Sequence, residues 1–480
     1  MSKKESALDI IICKIKPFTD GEDGYAAYEI GGQKLTDKAT SKNFKRFARK
    51  VLRDNKINNI GDTQLSEIIS NIESECIFEG SQGGVFNRVG KDADGNILIN
   101  PCFQNGDIIH VTPEGWQIIP PFTHSKSKKK NSYTPIMIKT KGMLSMPFPV
   151  RGKGNIQDLK KFLRCENDNN KFLLIVAFII QSFFYDGPFP ILVIVAEPGS
   201  GKTFSTLTIK QIIDPHEAPT LSIPRDPRDM FSTAGVSWLM AYDNFSKVHQ
   251  WLSDLFCRFS TGGATIDREL FTNGEAYIYS AKRPAIVNGI NDFFTYSDVL
   301  QRSIILENKR IEPNERLNES ELLKEFEEKC PGIFHDILNL LSAVLRILPD
   351  IKVEAPSRMA DFCTIGTAAA VSMGFNEDSF MTAYRENQRS ANDITLEASI
   401  ITPVLKELLN QQKYFKGSPT ELLDALEGIN GDVSHSPYWP KTATVLSGNL
   451  KRLSQNFMET GIIINTGRDY NGRWVEVKHV

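Results

Sequence analysis

The sequence predicts an α/β core built on a mostly parallel sheet, with an α+β module before it and a helical region after it. From about residue 150, helical stretches alternate with four apolar segments that can form buried strands: PILVIVA, SWLMAYD, RPAIVNG and RSIILEN. After residue 312, SELLKEFEEKC and GIFHDILNLLSAVLRIL carry apolar residues at three- and four-residue steps, which is typical of helices.

The composition of the 480 residues is that of a soluble globular protein, with 41% hydrophobic residues and a net charge of -2. Because no global basic field exists, any contact with a polyanion must be local. The seven cysteines occur singly, which argues against a zinc site or a disulfide framework and fits a reducing cytoplasm. The apolar run FLLIVAFIIQSFFY is too short to span a membrane and contains Gln181, so we expect a buried helix and no membrane association.

The first 150 residues predict a small α+β module. NFKRFARKVLRDNK and TQLSEIISNIESE have helical spacing, whereas GGVFNRVGKDADGNILIN and GDIIHVTPEGWQII read as strands with tight turns, one of them at Asp94-Gly95. The lysine-rich run THSKSKKKNSYTPIMIKTKG that follows is either a solvated linker or an arm that contacts phosphates.

The segment AEPGSGKT, between the first strand of the core and a helical stretch, fits the pattern of a phosphate-binding P-loop. Gly199 and Gly201 permit the tight loop whose backbone N–H groups face the phosphates. We expect Lys202 to reach the β/γ oxygens and the Thr203 hydroxyl to bind Mg²⁺. The predicted ATP-binding residues are Glu197, Pro198, Gly199, Ser200, Gly201, Lys202, Thr203 and Phe204.

A P-loop ATPase also needs an acidic residue that helps to bind Mg²⁺, and it is expected at the end of a later buried strand. The segment SWLMAYDN supplies Asp243 at such a position. The alternative for Asp243 is a turn residue at the end of a strand. Motor ATPases commonly follow this aspartate with the glutamate that activates water, but Asn244 stands here and an amide cannot accept that proton. Asp254 and Glu269 are the nearby candidates for the base.

Two further residues stand at the ends of the later strands. Asn288 ends the apolar strand RPAIVNG, where an Asn-Gly pair is also typical of a plain turn. Arg302 precedes the last strand, where it can stabilise charge on the nucleotide of a neighbouring subunit or form a surface salt bridge.

Taken in order, AEPGSGKT, LMAYDNFS, LFCRFSTGGATIDRELFTNGE, RPAIVNGI and LQRSIILE resemble the AAA+ core of replicative helicases. The resemblance is to superfamily III and MCM-like ATPases of phages, plasmids and integrated mobile elements, and it covers roughly the last two thirds of the chain. It implies a hexameric ATPase that encircles or grips DNA and uses Mg²⁺ as its metal.

The same resemblance implies roles for individual residues. Asn288 becomes sensor 1, Arg302 the arginine finger and Arg358 a second sensor on a helical lid. The segment between Asp243 and Asn288 matches a pore hairpin, with DNA contacts implied at Lys282 and Arg283.

The C-terminal region independently predicts a winged helix. TELLDAL, TATVLSGNLKRLSQNFMETG and the basic hairpin NTGRDYNGRWVEV supply two helices and a wing around Asn471-Gly472. The alternative is a protein-binding module. The residues predicted to contact DNA phosphates are Lys451, Arg452, Arg468 and Arg473.

These elements divide the chain into an N-terminal α+β domain, an AAA+ core, a helical lid and a winged helix, at 1–150, 151–312, 313–400 and 401–480. The leading hypothesis is an ATP-driven helicase or replication initiator of a mobile element, acting as a ring on single-stranded or forked DNA. The alternative is a nucleotide-switched signalling or anti-phage defence ATPase, which Asn244 favours because its amide fits slow hydrolysis. A P-loop kinase fits less well, since it needs neither a winged helix nor an arginine acting in trans.

Overall fold

The computed structural model describes residues 6–121, 135–197, 199–246, 248–268, 276–290, 296–308, 310–311, 317–354, 358–429, 435–470 and 472–479. Several sequence predictions lie outside these residues: the lysines at 126–130, Pro198, Glu269 and Asn471.

The chain begins with a four-stranded sheet of order β3-β2-β1-β4, against which three helices pack. The second helix begins after Ser41, whose side chain accepts a hydrogen bond from the backbone N–H of Phe44. Phe47 on the same helix stacks on Tyr28 of the sheet, with ring centroids 4.1 Å apart. The elements are α1 Ala7–Ile12, β1 Ile15–Thr19, β2 Gly24–Ile30, β3 Gln33–Lys38, α2 Lys42–Asp54, α3 Asp62–Glu79 and β4 Ser81–Gln82.

The predicted strands that follow form an antiparallel meander of order β6-β7-β8-β9, while a short pair joins β10 to β5. The turn predicted at Asp94-Gly95 is present, with Gly95 at a φ of 85°. The elements are β5 Val85–Phe86, β6 Val89–Lys91, β7 Ile97–Ile99, β8 Ile108–Thr112, β9 Gly115–Ile119 and β10 Ile136–Met137.

The predicted α/β core is present as a parallel sheet of order β12-β15-β11-β16, and its strands are the four predicted apolar segments. Because the strands are parallel, their carboxyl ends meet at one edge, which we call the carboxyl edge. The elements are α4 Leu159–Phe162, α5 Asn169–Gln181, β11 Ile191–Ala196, α6 Lys202–Ile213, α7 Pro227–Val236, β12 Met240–Phe245, α8 Gln250–Thr261, β13 Gly263–Arg268, β14 Ala276–Ala281, β15 Ala285–Gly289, α9 Ser297–Leu300 and β16 Ser303–Asn308.

The predicted buried helix is α5, in which every residue from Phe172 to Gln181 is buried. It lies in the largest core cluster together with apolar residues of three later helices, α10 Glu319–Ile347, α11 Ala360–Ser372 and α12 Glu377–Glu397. Among the described residues, one helical stretch, Glu319–Asp350, is long and apolar enough to cross a membrane by length and composition alone. Half of its most apolar window is buried against the rest of the protein, as in the core helix of a globular fold.

The last region packs three helices on a three-stranded antiparallel sheet of order β17-β19-β18 around its own apolar core. The hairpin β18-β19 extends beyond that core. The elements are α13 Ile401–Gln412, β17 Tyr414–Gly417, α14 Pro419–Ile429, α15 Ala443–Glu459, β18 Ile462–Asp469 and β19 Gly472–His479.

Candidate nucleotide site

The loop after β11 has the backbone geometry that its glycines predict. Gly199 and Gly201 both take positive φ values, 79° and 76°, and Gly201 caps the N-terminus of α6. The first N–H groups of that helix have no partner within it, so they are available to an anion. Glu197 is exposed beside this loop, Ser200 is buried, and Phe204 packs against the main core.

Arg164 forms a hydrogen bond with the backbone of this loop, a contact that the sequence did not predict. Its guanidinium donates a hydrogen bond to the backbone carbonyl of Ser200 at 2.7 Å. The Lys171 ammonium in turn donates to the Arg164 carbonyl at 3.3 Å and to the Asn308 side chain at 2.6 Å. Burial lowers the pKa of Lys171. The two cations therefore tie the loop to the carboxyl end of β16.

Asp243 lies at the carboxyl edge next to the loop. The Thr203 hydroxyl, forty residues earlier in the chain, donates to Oδ2 of Asp243 at 3.4 Å. The second carboxylate oxygen, Oδ1, is buried and has no hydrogen-bond partner among the described residues. A buried carboxylate oxygen without a partner is costly, so this arrangement suits a bound cation.

Asn288 is fully buried and lies between Asn244 and α6. Its Oδ1 accepts a hydrogen bond from the backbone N–H of Asn244 at 3.0 Å, and its Nδ2 donates to the Thr206 hydroxyl at 2.9 Å. Because a side-chain amide carries two N–H donors, one remains for a ligand at the carboxyl edge.

Asn244 has a φ of 69°, the left-handed conformation that asparagine tolerates better than most residues. Its side chain is exposed, and its contact to Asn288 is made by the backbone. Asp254 is exposed on α8 and, among the described residues, forms no hydrogen bond with Asp243 or Asn288. The role of Asp254 as the general base therefore stays a prediction.

Arg302 lies at the other end of the sheet. Its backbone carbonyl accepts a hydrogen bond from the N–H of Ile191, the first residue of β11, whereas the loop follows the last, Ala196. The two ends of this strand are about 17 Å apart. The Arg302 guanidinium donates to the carbonyl of Asp298 at 2.6 Å, while its Nε is buried without a partner among the described residues.

Arg358 lies beside Arg302, because its guanidinium binds the Asp298 carboxylate at 2.7 Å. The resemblance implied that Arg358 is a second sensor on a helical lid. The structure instead places Arg358 at the end of the sheet remote from the loop of its own chain, so we do not propose a contact with that nucleotide.

Lys282 and Arg283 follow the antiparallel hairpin β13-β14. Lys282 is half-buried and donates to the backbone carbonyl of Asp186. The Arg283 guanidinium donates to the carbonyl of Ala234 at 3.1 Å and lies 4.9 Å from the centre of a Trp238 ring. Contacts with Ala234 and Trp238 therefore occupy the side chain for which the resemblance implied a DNA contact.

The C-terminal cations are all exposed: Lys451 and Arg452 on α15, and Arg468 and Arg473 on the hairpin β18-β19. Arg468 and Arg473 are paired across the hairpin and therefore share one face of it. The buried Val475 and Val477 lie on that same face, two and four residues along β19. The two arginines thus extend the side of the hairpin on which α15 packs.

Two family models match the chain. Residues 157–394 match a model described as "Actinomycete integrative conjugative element replication protein", and residues 401–479 match one described as "AICE RepA C-terminal domain". No curated protein matches the chain.

Similar solved structures include an A-form apo structure of the NrS-1 C-terminal region, with a TM-score of 0.46 and 10% identity over 98% of both chains. Another apo structure of that region has a TM-score of 0.41 and 11% identity over 100% of both chains. A JCV helicase structure has a TM-score of 0.23 and 13% identity, covering 46% of this chain and 71% of that one. TM-scores below 0.5 do not establish a shared fold. What the two family matches establish is that this chain, over about two thirds of its length, is similar to the replication protein of actinomycete integrative conjugative elements.

Proposed function

We propose that this chain is an ATP-dependent DNA helicase or replication-initiator ATPase of a mobile genetic element, acting as an oligomeric ring. The observation that carries the proposal is the meeting of Thr203, Asp243 and Asn288 beside the glycine loop at the carboxyl edge of a parallel sheet. In open α/β sheets, ligands bind at this edge. The match to a replication protein supplies the biological setting.

ATP would lie with its phosphates against the backbone N–H groups of residues 199–204 and against the Lys202 ammonium. Among the described residues, Lys202 has no ion-pair or hydrogen-bond partner for that ammonium, so its charge is available to a phosphate. Mg²⁺ would be held by the Thr203 hydroxyl and Asp243, and when bound it neutralises charge on the β- and γ-phosphates. The buried Oδ1 of Asp243 fits that role.

Asn288 would orient the attacking water or the γ-phosphate with its remaining N–H donor. The hydrogen bonds to Asn244 and Thr206 hold the amide in one orientation, and such preorganisation stabilises charge in a transition state.

Arg302 supports action in an oligomer. It lies about 17 Å from the loop of its own chain, measured along β11, which argues against a contact with the nucleotide of that chain and favours one with the nucleotide of a neighbouring subunit. A hexameric ring would place the amino end of one sheet against the carboxyl edge of the next. The contact stays a proposal, as do the DNA contacts of Lys282, Lys451, Arg452, Arg468 and Arg473.

The test is ATP hydrolysis and strand displacement with no DNA, with single-stranded DNA and with a forked duplex. The proposal expects DNA to stimulate hydrolysis and the fork to be unwound, and expects a Lys202→Ala variant to lose both activities. Hydrolysis that DNA does not change, without unwinding, would contradict a motor.

That outcome would favour the second candidate, a nucleotide-switched signalling or defence ATPase. Its supporting observation is Asn244, which stands where motor ATPases carry a glutamate and contacts Asn288 through its backbone alone. A switch needs slow hydrolysis that resets an assembly, and DNA or a protein would then serve as a trigger.

A further inference from the structure

The second helix of the N-terminal region, α2, carries a concentration of positive charge that the nucleotide site does not use. Its thirteen residues, KNFKRFARKVLRD, include six lysines and arginines and one acidic residue. The neighbouring helix α3 has the opposite composition, with five acidic residues and no basic one. The charges are therefore segregated between two helices of a chain whose net charge is only -2.

The cations of α2 form a stripe along the exposed side of the helix. Lys42, Arg46, Arg49 and Arg53 recur at steps of four, three and four residues, so they share one face. All four are exposed, whereas Phe44, Phe47, Ala48 and Leu52 are buried on the other side. The stripe is about 16 Å long at 1.5 Å per residue.

Most of this charge is uncompensated. Arg49 pairs with Asp62, and Lys50 pairs with Asp54 at 3.2 Å. Among the described residues, Lys42, Arg46 and Arg53 have no ion-pair partner. A solvated helix face is typically laced with charges of alternating sign, and α2 lacks that alternation.

The surface beside the stripe is concave. A cavity of about 320 Å³ is lined by Arg46, Arg49, Lys50 and Arg53 together with residues of the segment 57–60. Four cations therefore line one depression, and two of them, Arg46 and Arg53, have no ion-pair partner among the described residues, so the depression suits a phosphate group.

We propose that the exposed face of α2 binds the phosphate backbone of double-stranded DNA, independently of nucleotide and of base sequence. Over the length of the stripe a duplex carries on the order of ten phosphates. A duplex fits better than a single strand because proteins bind single strands largely by stacking bases on aromatic side chains. Both phenylalanines of α2 are buried, so its exposed face offers no such platform. The inference takes from the proposed function only that DNA is the partner.

The test is binding of the full-length chain, without nucleotide, to a labelled 24-bp duplex of arbitrary sequence at several salt concentrations. The triple variant Lys42→Gln, Arg46→Gln, Arg53→Gln removes the unpaired cations and keeps the Arg49–Asp62 pair. A matched control, Lys324→Gln, Lys352→Gln, Arg385→Gln, removes the same charge from exposed positions elsewhere.

The plot of log binding constant against log salt concentration has a negative slope, and we expect the triple variant to make it shallower by about two to three, on the order of one unit per lost phosphate contact. We also expect the triple variant to bind the duplex at least about tenfold more weakly at low salt. The control should change the slope by less than about one and the binding constant by less than about twofold. If the triple variant fails to fold, as judged by circular dichroism, the three single variants should each reduce the slope by about one.

A triple variant that binds the duplex like the control overturns the inference. The inference is also overturned if the triple variant loses binding to phosphatidylserine vesicles but still binds the duplex, because α2 would then be a membrane-binding surface. Failure of the proposed function gives a different result: the wild-type protein would hydrolyse ATP at a rate that DNA does not change.

Discussion

Asn288 accepts the backbone N–H of Asn244 at 3.0 Å, so the residue that replaces the expected glutamate contacts the site through its main chain. The conformation at Asn244, with φ at 69°, is one that glycine adopts without strain. We therefore expect Asn244→Gly to keep ATP hydrolysis within about threefold of wild type, because it preserves both the donor and the backbone geometry. Steady-state hydrolysis measures this directly. A loss of tenfold or more would show that the Asn244 side chain takes part in the reaction.

Asn288→Ala is the matching change on the other side of this hydrogen bond. It removes the contacts to Asn244 and Thr206 and the free N–H donor at the carboxyl edge. Loss of one preorganised donor in an active site typically costs about 10²–10³ in kcat, and we expect a loss of that order with nucleotide affinity retained. Single-turnover hydrolysis and nucleotide binding by fluorescence separate these effects. Equal losses of hydrolysis and of nucleotide affinity would indicate that the substitution disrupts the structure of the site.

Arg302 is expected to act on the nucleotide of a neighbouring subunit. Arg302→Ala should lower kcat by about 10³ while leaving ATP binding intact, as for a lost arginine finger. Mixing Arg302→Ala subunits with Lys202→Ala subunits should restore part of the activity, since some interfaces then combine an intact loop with an intact arginine. A mixture as inactive as its two components would contradict the proposed ring geometry.

The parallel sheet could be predicted because its strands are covered on both faces and are therefore continuous apolar runs in the sequence. The glycine loop and Asp243 could be predicted because backbone geometry and metal chemistry restrict the residue types there. The order of the strands then brought Asn288 to the same edge. In each case the signal is local to the element that carries the residue.

Contacts between distant segments carry no such signal. Nothing around Arg164 indicates that it binds the carbonyl of Ser200, 36 residues later. Lys282 and Arg283 are adjacent cations in the sequence, yet the Arg283 side chain packs against Trp238. The basic stripe of α2 differs, because the spacing of its lysines and arginines is local to one helix.

The hairpin β18-β19 offers a test of DNA binding in the C-terminal region. Arg468→Gln and Arg473→Gln together should reduce the salt slope of DNA binding by about two, because both exposed side chains lie on the face that continues from α15. Val475 and Val477 hold the base of the hairpin, so its fold should not change. An unchanged salt slope would favour the alternative of a protein-binding module. Fluorescence anisotropy at several salt concentrations provides the measurement.

A buried ion pair joins the N-terminal region to the core that contains the parallel sheet. Arg88 and Asp214 are both fully buried and 2.9 Å apart, and the Lys210 ammonium binds the other oxygen of Asp214 at 2.7 Å. Removing one partner of a buried pair typically costs about 3–5 kcal/mol, because the remaining charge has lost its compensation. Arg88→Met should therefore lower Tm by roughly 3–5 °C, whereas the exposed Lys324→Met should change it little. Scanning fluorimetry of both variants checks this, and similar Tm values for the two would contradict it.

The same network predicts a pH dependence of stability. Burial alone would raise the pKa of Asp214, but the charges of Lys210 and Arg88 and their hydrogen bonds outweigh it and hold that pKa far below its ordinary value. Since the pKa is lower in the folded chain, the carboxylate contributes its full stability above the unfolded value of about 3.9 and loses it as the pH falls toward the folded value.

Comparison of wild type with Asp214→Asn isolates this contribution from those of the other carboxylates. The Tm difference between the two proteins should be constant from pH 7 to about 5, and it should narrow as the pH falls below about 4. Narrowing is expected to be incomplete at about pH 3, because the folded pKa lies lower still. Thermal scans across this range provide the measurement. A difference that stays constant or widens in acid would show that Asp214 is not held as a buried carboxylate between the two cations.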